Sequence, residues 1–155
     1  MLGTLRESFL ATVSRWPDSD AIIGGESSYS FGALNARSNQ LANFLAGLGV
    51  RQGDHVGLLL DNCAEFAIGF IACQKLGAIS SCLNYRLSAG SLGYTLHQER
   101  QRVLIFNATL SETAGEIMND AYFCRFVCVG GPGPDGAIGF DDCGDFPETE
   151  PAAVE

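Results

Sequence analysis

One lysine, two histidines and six cysteines are the residues of this 155-residue chain best suited to phosphate, acid–base, nucleophilic or metal chemistry. A phosphate cradle needs glycines for close backbone approach, with Lys and Ser or Thr to meet phosphate oxygens and metal. The Gly-rich stretch Gly130-Gly-Pro-Gly-Pro-Asp-Gly136 has none of these three partners. It has two prolines that remove donors, and Asp135 repels anions, so it reads as a surface turn. The lone lysine, Lys75, falls near a predicted helix C-terminus, where a cation suits the helix dipole.

Nucleophilic and metal chemistry fare no better. No G-x-S-x-G elbow and no CxxC pair is present, and neither His55 nor His97 lies at ligand spacing from a cysteine. Cys63, Cys73, Cys82, Cys124, Cys128 and Cys143 fall on apolar helix- or strand-like patterns, Cys143 alone lying in the acidic end. They read as buried free thiols of a reducing cytosol. His55 opens a strand and His97 ends a helix, and both read as structural. No catalytic residue and no metal ligand is assigned.

The elements that would position any site alternate in type. Leu5, Phe9 and Val13 mark a short helix over 5–15, followed by strands 21–24 and 27–31 as a hairpin about Gly25. Leu34, Leu41, Leu45 and Leu48 give one face of a helix over 32–48, with Asn35, Arg37 and Asn39 opposite. A strand at 55–60 leads to a helix closing at Gly77 that is apolar nearly all round. Asn62 and Glu65 have the spacing of a capping box at its start. Strands at 78–83, 102–106 and 123–129 alternate with helices at 88–98 and 110–119. Crossover connections of this kind predict an α/β fold, a largely parallel sheet flanked by helices on both faces.

Composition excludes several classes. Hydrophobic residues are 46% and charged residues 17%, which fits a packed domain and not a disordered chain. The apolar run 66–73 is too short to span a bilayer, and Arg6, Glu7 and Arg15 interrupt any leader-like N-terminus. A cytoplasmic location is the expectation. The net charge of −9 is uneven: residues 1–129 hold all nine basic and eleven of the acidic residues, while 130–155 hold seven acidic and no basic ones. Such an end repels phosphate backbones and anionic lipid, which argues against nucleic acid as a partner. The predicted organisation is an α/β subdomain over 1–130 and a solvated, acidic Gly/Pro-rich connector over 131–155.

Two stretches carry a resemblance. Tyr29-Ser-Phe-Gly-Ala-Leu-Asn-Ala-Arg-Ser-Asn-Gln-Leu-Ala-Asn43 is followed by Leu48-Gly-Val-Arg-Gln-Gly-Asp-His-Val56. Leu60-Asp-Asn-Cys-Ala-Glu-Phe66 leads to Gln74-Lys-Leu-Gly-Ala-Ile-Ser-Ser-Cys-Leu-Asn-Tyr-Arg-Leu87. In this order they resemble the N-terminal part of adenylate-forming (AMP-binding) enzymes, the acyl-CoA synthetases and other acid–CoA ligases. Ala33 stands where that family usually has Glu, and Tyr85 replaces the usual proline before Arg86.

The resemblance implies a reaction in two stages: a carboxylate attacks the α-phosphate of Mg-ATP to give an acyl-adenylate, then CoA sulfur displaces AMP. It implies ATP, Mg2+ and CoA for the full-length enzyme. The family's phosphate loop, adenine and metal motifs and catalytic lysine come later than anything matched here. Residues 1–155 therefore read as an incomplete N-terminal portion, inactive alone, whose partner is the remainder of the ligase. Arg86 matches the family's "l-N-x-R-l" arginine, which implies a contact to a CoA phosphate; an arginine that caps or salt-bridges a nearby helix is the alternative. A stand-alone interaction module with its apolar helix 63–76 partly exposed, or a homo-oligomer, is a rival reading, as is another adenylate-forming enzyme. A small nucleotide-binding protein active alone is a third, weakened by the lack of a phosphate cradle.

Overall fold

The computed structural model describes residues 3–24 and 28–152. In chain order the elements are α1 (Leu5–Arg15), β1 (Asp20–Ile22), β2 (Tyr29–Ser30), α2 (Phe31–Gly47), β3 (His55–Leu59) and α3 (Ala64–Leu76). Then come β4 (Ile79–Cys82), α4 (Ala89–Glu99), β5 (Val103–Asn107), α5 (Ser111–Met118), β6 (Arg125–Val129) and β7 (Ile138–Gly139). Short 3-10 turns cover Ala108–Leu110 and Phe140–Asp145.

Caps fix several of these boundaries. Thr4 Oγ1 accepts from the Glu7 N–H and Glu7 Oε2 accepts from the Thr4 N–H, a full capping box for α1. Ser30 caps α2 by accepting from the Ala33 N–H at 3.2 Å, without the reciprocal Glu that the family pattern would supply. Gly77 ends α3 in the left-handed region at φ 66°, where any Cβ is disfavoured. The expected Asn62–Glu65 box does not form. The helix starts one residue later, with Cys63 as its N-cap and no side-chain cap bond, so Glu65 sits one position too early to reach back.

Strands β4-β3-β5-β6-β7 form one sheet, every pair parallel, in the register Val56↔Ser80, Val56↔Val103, Val103↔Arg125 and Val127↔Ile138. The strands of its centre are apolar on both faces, as a sheet covered on both sides requires. Val103 and Ile105 join Val127, Val129 and the α2 and α3 leucines in one core. Leu104 and Phe106 join Phe126, Leu92, Leu96 and Ile117 in a second core beneath α4 and α5. Strands β1 and β2 form a separate antiparallel pair, and the turn predicted about Gly25 lies outside the described residues.

Two expectations are corrected by this packing. The 131–155 segment is not a solvated connector in its described part. β7 adds to the sheet, Phe140 and Cys143 are buried, and Phe146 packs edge-on against Phe44 at 5.4 Å. Asp141, Asp142 and Asp145 stay exposed while Phe140 and Cys143 beside them turn inward, so the segment's charge faces water and its apolar side faces the core. The same segment covers the polar face of α2. Ser38, Asn39 and Gln40 are buried, with Asn39 Nδ2 donating to Glu148 O, Gln40 Nε2 to Gly144 O, and Asn43 Nδ2 to Pro147 O and Thr149 O.

The apolar surface of α3 is also better covered than predicted. Phe66, Phe70 and Ile71 are half-buried against the first core. Exposed large apolar side chains are scattered instead: Leu5, Trp16 and Ile23 near the start, Ile79, Tyr85 and Leu87 on β4 and the loop after it, and Tyr94 and Tyr122 further on. Among the described residues no helix is long and apolar enough to cross a membrane.

Candidate functional site

Open parallel sheets bind ligands at the carboxyl ends of their strands, where consecutive strands leave in opposite directions. Here that point lies between β3 and β5. From β3 the chain crosses through α3 to β4 on one side, then returns through α4 to β5 on the other. Right-handed crossovers put these helices on opposite faces, α3 packing in the first core and α4 in the second. Asn107, the last residue of β5, ties the two strand ends together: its Oδ1 accepts from the Asp61 N–H at 2.9 Å. No motif pointed to Asn107. The available signal was a polar residue closing the otherwise apolar run Val103–Asn107.

Arg86 lies in the loop between β4 and α4, after the carboxyl end of the edge strand β4. Asn84 shapes the loop: its Oδ1 accepts from the Arg86 N–H at 3.0 Å and its carbonyl accepts from the Leu87 N–H at 3.1 Å. The guanidinium lies 5.7 Å from the Tyr85 ring centre and is exposed. It forms no ion pair among the described residues, and Ser88, not Arg86, caps α4. The Gly130–Gly136 stretch is a surface turn after β6, with Gly130 and Gly136 at φ 80° and 92°.

Other reactive residues are placed away from chemistry. Burial pushes the Cys63 thiol up to about 11 and those of Cys73 and Cys124 up to about 12, and it raises those of Cys128 and Cys143. Thiols held protonated are poor nucleophiles. Cys82 departs from the buried expectation: it is exposed on β4, and all six cysteines are free.

Ser81, His55 and Glu99 come together unforeseen, but both contacts fall on His55 Nδ1, at 3.3 Å to Ser81 Oγ and 3.7 Å to Glu99 Oε2. A serine relay needs the two ring nitrogens to divide those roles, so this is a positioning contact. Lys75 lies in the last turn of α3, as expected. Its side chain is fully buried, with Nζ donating to Asn35 Oδ1 at 2.8 Å and Glu150 Oε2 at 2.7 Å.

The sequence profile of the AMP-binding enzyme family matches residues 9–125. The chain is 31% identical over 145 residues to the 3-hydroxybenzoate–CoA ligase of Aromatoleum sp. (strain CIB), which covers 89% of this chain and 27% of that protein. It is 34% identical over 116 residues to the crotonobetaine/carnitine–CoA ligase of Escherichia coli (strain K12 / DH10B), covering 72% of this chain and 22% of that one. The crystal structure of the anthranilate CoA ligase AuaEII in complex with anthranoyl-AMP superposes with a TM-score of 0.90 at 27% identity, over 97% of this chain and 29% of that one. The N-terminal domain of FACL13 from Mycobacterium tuberculosis shares the fold, with a TM-score of 0.85 at 23% identity, over 98% of this chain and 38% of that one. The chain spans about a quarter of the length of the characterised relatives it matches. A profile match over most of the chain, together with a fold that superposes over 97% of its length on part of a CoA ligase, means that this chain belongs to the AMP-binding enzyme family.

Proposed function

We propose that this chain is the N-terminal part of an ATP-dependent acyl- or aryl-CoA synthetase, and that it does not form an acyl-adenylate by itself. The observation that carries the reading is the profile match over 9–125 within a chain that covers only 27% of a CoA-ligase relative. Such an enzyme converts a carboxylate, ATP and CoA to a thioester, AMP and pyrophosphate. The residues present here do not fit the ATP and Mg2+ of that reaction. Lys75 is buried against Glu150, the glycine turn lacks Lys, Ser and Thr, and no group of three or more metal-ligating residues occurs among the described residues. Phosphoryl chemistry requires cations where charge develops in the transition state, and these residues do not supply them.

This chain's part in the reaction is structural and, at one residue, a binding one. Its sheet presents the carboxyl ends of β3 and β5 to the rest of the ligase. Arg86, exposed and without a carboxylate partner, offers a forked donor to a phosphate of CoA. The 131–155 stretch connects the subdomain to the following part of the ligase, clamped on the way to α2. The compartment we propose is the cytoplasm, in keeping with six unpaired cysteines.

The test is acid-dependent exchange of pyrophosphate into ATP. The 155-residue chain should show none with short, fatty or aromatic acids, while the full polypeptide from the source cells should show exchange with at least one. In that polypeptide Arg86→Ala should raise the KM for CoA and leave the adenylation half-reaction unchanged. Acid-dependent exchange by the 155-residue chain alone would overturn the proposal.

A further inference from the structure

The loop that carries Arg86 is fastened at both ends. Asn84 begins it: its carbonyl accepts from the Leu87 N–H at 3.1 Å, closing a four-residue turn, and its Oδ1 accepts from the Arg86 N–H at 3.0 Å. A side-chain carbonyl that takes the N–H two residues on makes an Asx turn, which mimics a backbone turn. Neither Tyr85 nor Arg86 has a positive φ, which excludes the type II, I′ and II′ turns. The hydrogen-bonded turn is therefore type I, with Asn84 at its first position and Tyr85 at its second. Ser88 ends the loop as the N-cap of α4, its Oγ accepting from the Ser91 N–H at 3.3 Å.

The residue after Asn84 makes those bonds matter. Proline suits the second position of a type I turn because its ring fixes φ near about −65°. Tyr85 stands there in place of the family's usual proline and leaves φ free. Among the described residues the Tyr85 N–H makes no hydrogen bond, and those of Arg86 and Leu87 are both held by Asn84. The Arg86 guanidinium is exposed, 5.7 Å from the Tyr85 ring centre, and pairs with no carboxylate among the described residues. Apart from that ring, it takes its direction from the backbone that carries it.

We infer that Asn84 is a positioning residue for Arg86: its two bonds set the turn in the free protein, so that the guanidinium meets a phosphate of CoA without the loop having to be ordered first. The inference rests on the reading of Arg86 proposed above. Fixing the backbone of one residue is worth a factor of about five to thirty in an equilibrium constant. A restraint already present before binding removes that cost from the affinity. The bond to Leu87 comes from the Asn84 backbone and survives a change of side chain, so the bond to Arg86 accounts for the low end of that range, about fivefold.

The experiment measures thioester formation by the full polypeptide from the source cells over a range of CoA concentrations. Asn84→Ala should raise the KM for CoA about fivefold and leave kcat unchanged. Tyr85→Pro added to Asn84→Ala should recover most of that loss, because proline restrains the same turn without the side-chain bond. Because Asn84 acts through Arg86, Asn84→Ala should add nothing in an Arg86→Ala background. A raised KM for Arg86→Ala with an unchanged one for Asn84→Ala would overturn the inference and leave the reading of Arg86 standing. An unchanged KM for Arg86→Ala would overturn both. A fall in kcat and in the unfolding midpoint of Asn84→Ala that Tyr85→Pro does not reverse would also overturn it, since that marks a residue needed for the fold and not for presenting Arg86.

Discussion

Replacing Glu150 by glutamine should destabilise the 155-residue chain more than replacing Lys75 by methionine. Lys75 Nζ has no exposure and lies 2.7 Å from Glu150 Oε2, whose carboxylate is about a third exposed and also receives Arg6 Nη2 at 3.1 Å. Burial lowers the pKa of Lys75, and the contact with Glu150 opposes that shift. A unit pair at this distance is worth between about 1.5 kcal/mol at the dielectric of water and about 6 kcal/mol at an effective dielectric of 20. The exposure of Glu150 and the second acceptor on Asn35 pull the expected loss for Glu150→Gln down to about 2 kcal/mol. Lys75→Met keeps the apolar stem and removes the buried charge, leaving Glu150 with Arg6 at the surface, so its cost should be within about 1 kcal/mol. The double variant should resemble Lys75→Met, giving a coupling energy of about 1–2 kcal/mol. Urea unfolding followed by circular dichroism measures all four proteins. A larger loss for Lys75→Met than for Glu150→Gln, or strict additivity, would refute the clamp.

Further predictions follow from the caps, the thiols and the exposed arginine. Gly77→Ala forces a Cβ into the left-handed region at φ 66° and should cost about 1–2 kcal/mol, read from the same urea curves. Cys73 and Cys124 keep their protons up to about pH 12 when folded but ionise from 9.0 when unfolded. The folded state then binds more protons, so their contribution is intact below pH 9 and is lost as pH rises through that window, at about 1.4 kcal/mol per thiol by pH 10. Lys75 works the other way, because its lowered pKa lets stability rise as pH approaches 10.5. The thiols should prevail, and Cys73→Ala should flatten the alkaline loss of stability. Arg86→Ala, at an exposed residue with no ion pair, should leave the unfolding midpoint within the scatter of repeat measurements.

Periodicity made much of the fold legible. The leucines of α2, the all-round apolar α3 and the apolar runs of β5 and β6 each announce both their type and their burial, because a central parallel strand has no solvent face. What periodicity misses is what covers a polar surface. Asn39 reads as lying on the polar face, yet its amide and that of Gln40 hold the backbone at Glu148 and Gly144, contacts more than a hundred residues distant in sequence. Lys75 reads only as a cation near a helix C-terminus, and its burial against Glu150 is visible only in the fold. The site divides in the same way. Arg86 is visible through its motif, while Asn107 acquires meaning only when strand order places β5 beside β3.

The claim that this chain is one part of an acyl-CoA synthetase is tested most directly by the intact mass of the native protein. It would be captured from its source cells with an antibody to residues 1–130. A species several times heavier than the 155-residue chain is predicted, with acid-dependent exchange of pyrophosphate into ATP in the same fraction. A species of 155 residues alone, stable and without a larger counterpart, would contradict the claim.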